Sequence, residues 1–142
     1  MILAWDTSSR QLSMALFKDS KVFFSRNEYR ETHQQSNLFF SELRSMLQSL
    51  NLSTFDITGL AVGIGPGSYT GLRVGITVAK IWGYTRSLPC YSFKSAKALE
   101  RTQARDPSAT FLEVADLLFP EDFSLIEHLT SLEPIYENDH FA

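Results

Sequence analysis

Small residues recur at every fourth position behind a glycine-rich turn: Gly71, Gly75, Ala79 and Gly83 follow Gly65-Pro66-Gly67-Ser68. In a helix, residues four apart lie one above the other, so these positions form a strip with almost no side chains. Each interior glycine costs a helix about 1 kcal/mol relative to alanine, and the close approach of another body has to offset that. The remaining positions, Leu72, Val74, Ile76, Val78, Ile81 and Trp82, leave little polar surface. The helix predicted over 70–86 is therefore covered on more than one side. A sheet can take one side. The other falls either to the rest of the chain or to a second subunit, since a large apolar patch does not stay exposed.

Upstream, the segment from Ile57 to Ile64 becomes fully apolar at Leu60-Ala61-Val62, as an interior parallel strand does. The junction that follows has two open readings. Gly65, Pro66, Gly67, Ser68 and Thr70 can form a capped turn, with glycine supplying unusual backbone angles and Ser68 or Thr70 capping the helix. Alternatively, with Asp6 at the end of the first strand, they can present free amides to a phosphate at the helix N-terminus. The spacing is neither that of a P-loop, which needs a lysine after its last glycine, nor that of a dinucleotide-binding loop.

The start of the chain reads as strands at Ile2 to Trp5, Leu12 to Phe17 and Val22 to Asn27, with a hairpin turn at Lys18 to Lys21. From Thr32 to Leu50 the period becomes helical, and Phe39, Leu43, Met46, Leu47 and Leu50 make one apolar stripe. A strand over Cys90 to Phe93 and a helix from Lys94 to about Ala104 complete the series. This order of α/β elements is that of one half of an actin-like, ribonuclease-H-like domain, a mixed sheet with flanking helices. It assigns a domain to 1–104 and leaves 105–142 as a short helical remnant packed on it, with helices expected over Phe111 to Phe119 and Asp122 to Thr130.

Composition narrows the function. The net charge is -3 and the Lys and Arg residues are scattered singly, so no basic footprint for nucleic acid is expected. Cys90 is the sole cysteine, which excludes an internal disulfide and suits a reducing cytoplasm. No stretch approaches the ~20 apolar residues of a membrane span, and the N-terminus has no signal-peptide pattern. His33, His128 and His140 lack metal-ligand spacing, and Cys90 begins an apolar strand where an inert thiol is expected. No catalytic residue, metal or cofactor is expected.

Four segments carry a resemblance: Asp6-Thr7-Ser8, His33-Gln34-Gln35, Gly65 to Gly75, and Glu133-Pro134-Ile135-Tyr136. From Met1 to about Glu100 the sequence resembles the TsaB (YeaZ) family, with Tyr69 where that family usually has phenylalanine. Beyond that it departs, because the family usually has a larger second α/β lobe, and Glu137-Asn138 stand where a basic residue is common. The resemblance implies an actin-like fold with a reduced second lobe and no independent catalysis. It implies pairing with a TsaD-like subunit, which transfers threonylcarbamoyl to adenosine of transfer RNA, a TsaE-like ATPase joining the larger complex, and a homodimer when the chain is alone. The pairing surface it implies includes Phe39, Leu43, Met46, Leu47, Leu50, Gly71, Gly75, Val78, Ala79 and Trp82. Arg73, near the start of its helix, opposes the helix dipole and is expected to meet an acidic group. A nucleotide-binding actin-like ATPase and a degenerate relative are the alternatives.

Overall fold

The computed structural model describes residues 1–31 and 35–135. Six strands form one mixed sheet in the order β3-β2-β1-β4-β5-β6. They are β1 (Ile2–Asp6), β2 (Gln11–Lys18), β3 (Lys21–Tyr29), β4 (Gly59–Gly63), β5 (Cys90–Phe93) and β6 (Ser124–Leu125). The pairs β1–β4 and β4–β5 are parallel; the rest are antiparallel. Parallel strands need crossovers, and two helices supply them: α1 (Gln35–Ser49) on the way to β4 and α2 (Tyr69–Arg86) between β4 and β5. A third helix, α3 (Ser95–Arg105), follows β5.

Register decides which side chains share a face. Leu3 stands beside Leu16 and Leu60, and Trp5 beside Met14 and Val62. These residues pack with Phe39 and Met46 of α1 and Ile76 and Ala79 of α2 in one core cluster. One residue out of phase, Ala4 stands beside Ala15 and Ala61, and this second face packs with Phe17, Phe93, Ala98, Leu112, Val114 and Leu117.

The predicted strands and the helices at α2 and α3 lie within a residue or two of their expected positions, and β4 is shorter, starting at Gly59. Thr32, where the helical period of α1 was expected to begin, lies outside the described residues. After α3 the expectation of helices is corrected. Phe111 to Phe119 holds only a 3₁₀ turn at Val114–Asp116, and Asp122 to Thr130 holds β6 and the start of a second turn at Leu129–Ser131. The reason is where the backbone finds partners. The Glu113 amide donates to Thr102 Oγ1 (2.9 Å), the Val114 amide to Ser13 Oγ (2.7 Å), and the Ile126 amide to the Cys90 carbonyl (2.8 Å). Hydroxyls and a strand edge thus take amides that a helix would have used internally.

Candidate functional site

Asp6 closes β1 and is wholly buried. Its Oδ1 accepts from the Ser8 amide (2.8 Å) and the Ser8 hydroxyl, and its Oδ2 accepts from Ser95 Oγ (2.6 Å). Ser95 Oγ in turn accepts from the Gly65 amide (2.9 Å), and the Ser95 amide donates to the Gly65 carbonyl (2.8 Å). One carboxyl therefore ties the end of β1 to the glycine loop and to the start of α3. Burial pushes this carboxyl up, against the downward pull of the Ser8 and Ser95 hydroxyls and the Ser8 amide.

The glycine loop is engaged from inside the chain. Gly65 has φ +104°, a conformation that L side chains rarely adopt, and a Cβ on Gly67 would lie 2.6 Å from the Ser8 backbone oxygen. Ser68 caps α2 by accepting from the Gly71 amide (3.3 Å), while its own amide donates to the Ser8 carbonyl (2.8 Å). Pro66 and Thr70 face outward. The arrangement is that of a capped turn whose polar groups brace three elements. Among the described residues, no group of three or more His, Cys, Asp or Glu could hold a metal ion. His128 is exposed, and His33 and His140 lie outside the described residues. Cys90 sits beneath Gly83, and burial pushes its thiol up.

The small-residue strip meets the sheet. A Cβ on Gly71 would collide with the Thr7 carbonyl, and one on Gly75 would lie 2.7 Å from Thr7 Oγ1 and 3.1 Å from Trp5 Nε1. Thr7 Oγ1 donates to the Gly71 carbonyl and Trp5 Nε1 to the Gly75 carbonyl (3.2 Å), so strand side chains bind the helix backbone directly. Trp5 also stacks on Trp82, with ring centroids 6.3 Å apart, and meets Phe39 edge-on at 5.1 Å.

Much of the predicted pairing surface is consequently interior. Phe39, Met46, Gly71, Gly75 and Ala79 are buried within the chain, Leu43 and Leu47 are nearly so, and Leu50, Val78 and Trp82 are half-buried. The large apolar side chains exposed on the outer surface of α1 and α2 are ones outside the expected pairing set: Phe40 (54% exposed), Ile81 (63%) and Tyr84 (82%), with Phe55 (75%) from the intervening turn. Between the helices runs a groove of about 460 Å³ lined by Phe40, Leu43, Phe55, Val78, Ile81 and Trp82. Its sequence signal is an apolar residue opposite each buried stripe, which is legible only once the buried side is known. Arg73 donates to the Tyr69 hydroxyl, and its guanidinium lies 5.3 Å from that ring. The Glu133–Ile135 segment returns to the loop, where the Ile135 amide donates to the Ile64 carbonyl (2.6 Å); Tyr136 lies outside the described residues.

With this geometry in place, comparison with known proteins is informative. The model of the family TsaD, tRNA N6-adenosine threonylcarbamoyltransferase, matches residues 30–112, more than half of the chain. The tRNA threonylcarbamoyladenosine biosynthesis protein TsaB of Bacillus subtilis is 31% identical over 98 residues, covering 69% of this chain and 42% of the relative. That of Escherichia coli is 32% identical over 109 residues, covering 77% and 46%. The chain thus spans less than half the length of these curated relatives. Among solved structures, YeaZ from Pseudomonas aeruginosa superposes with a TM-score of 0.68 at 24% identity, over 76% of this chain and 50% of that one, which shows the fold. A second, an uncharacterized protein with similarity to peptidase YeaZ from Pseudomonas aeruginosa, gives a TM-score of 0.64 at 27% identity, over 76% and 49%. Family model, curated relatives and superposed structures agree: the chain belongs to the TsaB (YeaZ) family, with its actin-like, ribonuclease-H-like fold.

Proposed function

We propose that this chain acts in the biosynthesis of threonylcarbamoyladenosine in tRNA, as a non-catalytic subunit that pairs with a TsaD-like transferase through the outer face of α1 and α2. The observation that carries the reading is the apolar groove between those helices, flanked by Phe40, Phe55 and Ile81, each more than half exposed. Aromatic and aliphatic side chains gathered around a concave strip are what a partner's anchoring residues fill. The buried, fully engaged Asp6 supports the non-catalytic part, because a carboxyl held by Ser8 and Ser95 presents nothing to a substrate. A TsaE-like ATPase would join the pair.

Size-exclusion chromatography with light scattering tests this on the chain mixed with the transferase subunit from the same source. A mixed complex is expected, and Ile81→Glu, which places a charge in the groove, is expected to abolish it while leaving the circular dichroism spectrum unchanged. A folded chain that ignores the transferase subunit would overturn the proposal and make nucleotide binding the next property to measure.

A further inference from the structure

The longest strand, β3 (Lys21–Tyr29), lies at one edge of the sheet, with β2 on one side and no strand on the other. Which of its backbone groups are already engaged follows from the pairing. The Arg30 amide donates to the Arg10 carbonyl (3.0 Å), and in the same register Leu12 stands opposite Glu28, Met14 opposite Arg26 and Leu16 opposite Phe24. Opposed residues of an antiparallel pair exchange hydrogen bonds at every second position, so Glu28, Arg26 and Phe24 turn their amides and carbonyls toward β2. Ser25, Asn27 and Tyr29 turn theirs outward, and among the described residues no hydrogen bond reaches those groups. The bulge between Leu16 and Phe17 sets this regular stretch apart from the exposed Val22 and Phe23 beside the hairpin turn. A row of open donors and acceptors on a long edge strand is a template for another strand. Arg26 and Glu28 lie two residues apart on one face of the sheet, where Arg26 also pairs with Glu42 of α1 (3.2 Å).

We propose that the β3 edge pairs antiparallel with the same edge of a second copy of this chain, in a register centred on Asn27. A two-fold contact is self-complementary: where one residue meets another, the second copy repeats the meeting in reverse. The open backbone groups belong to odd-numbered positions, so only registers that set odd against odd close the hydrogen bonds. Centring on Arg26 would set that guanidinium against its own copy, and like charges directly opposite are destabilising. Centring on Ser25 sets Arg26 against Phe24 and Glu28 against Val22, which joins no charges. Centring on Asn27 sets Arg26 of each copy against Glu28 of the other, twice, with Ser25 opposite Tyr29. The strand's own charge pattern thus selects both the occupant and the register. None of the groove between α1 and α2 is used, so the inference is independent of the function proposed above.

Sedimentation velocity of the whole chain over a concentration series tests this, with the Ile81→Glu variant beside it to separate the edge from the groove. A reversible dimer is expected in both. Ser25→Pro removes one outward amide and fills the path of the incoming strand while sparing the bonds to β2. Glu28→Lys sets a like charge against Arg26 at two places. Each is expected to raise the dimer Kd about tenfold, and circular dichroism checks that each is folded, so that either can stand in for the other. Position 27 alone meets itself, at a spacing a disulfide can bridge, and Cys90 is buried. Mild oxidation is therefore expected to link Asn27→Cys into a dimer and to leave Ser25→Cys unlinked. A wild-type chain that stays monomeric overturns the proposal, as does a dimer that the folded variants leave intact or that Ile81→Glu abolishes. Linking through Ser25→Cys in place of Asn27→Cys overturns the register.

Discussion

The two faces of the sheet solve the same packing problem in opposite ways. On the face beneath α1 and α2 the strands contribute bulk, in Trp5, Met14 and Leu16, and the helix contributes absence, in Gly71, Gly75 and Ala79. On the other face the strands contribute Ala4, Ala15 and Ala61, and the covering chain brings the rings of Phe119 and Phe123 against Phe17, Phe93 and Tyr91. On the first face large strand side chains meet small helix positions; on the second, strand rings meet the rings of the cover beside the small alanines, and both fill the space as close packing requires. The difference lies in what holds the cover down. The first face is held by regular helices. The second is held by α3 and an irregular segment fastened at separate points: the Ser13 and Thr102 hydroxyls, the two-pronged Arg101–Asp122 pair (2.8 and 3.0 Å), and Arg105 to Glu113 and Asp116.

The contrast can be broken most severely at the helix backbone. Gly71→Ala sets a methyl against the Thr7 carbonyl, a backbone atom that cannot swing aside, and is expected to cost about 3 kcal/mol in urea denaturation. On the opposite face, Phe123→Ala removes one ring from an aromatic cluster that is only partly shielded, and about 2 kcal/mol is expected from the same measurement.

Acid sharpens the comparison further, because the carboxyls carry opposite signs. For Asp116 and Asp122, burial raises the pKa, but their arginine partners outweigh it and leave both below the ordinary carboxylate value of 3.8. Their contribution is present above that value and is lost as pH falls through the folded-state value, so Asp122→Asn is expected to reduce stability at neutral pH and to matter less in acid. Asp6 is raised, so its contribution is complete below 3.8 and is lost as pH rises through its folded-state value. Relative to wild type, Asp6→Asn should therefore gain stability as pH rises above the ordinary carboxylate value. A denaturation series over pH that shows both variants shifting in the same direction would contradict this assignment. The smallest effect belongs to the outer groove: Ile81→Ser, at a residue 63% exposed, is expected to change stability by no more than about 0.5 kcal/mol.

These two faces also differ in how much the sequence disclosed. Strands β1, β2 and β5 and helix α2 lie within about a residue of where their side-chain patterns place them, and Ser68 is one of the two caps the sequence offered for α2. The four-residue strip revealed a close approach but not its partner, since a glycine looks the same facing Thr7 and Trp5 as facing another subunit. Hence Phe39, Met46, Gly71 and Gly75 were read toward a surface they do not reach, while Phe40 and Phe55 went unnoticed and Ile81 was read only as part of an apolar helix. The segment after α3 was least legible. Its conformation is set by Ser13 and Thr102, which lie far away or on another element, and its alternation of Leu112, Val114 and Leu117 suits several local structures equally.

The stacking of Trp5 on Trp82 has an optical consequence. These are the only two tryptophans in the sequence, one sealed in the core and the other lining the groove. Coupled indoles give a paired near-ultraviolet circular dichroism signal that vanishes when the core loosens, whereas a body seated in the groove shifts the emission of Trp82 and leaves that of Trp5 in place. The chain thus carries its own spectroscopic gauge, one chromophore reporting on the fold and its neighbour on occupancy.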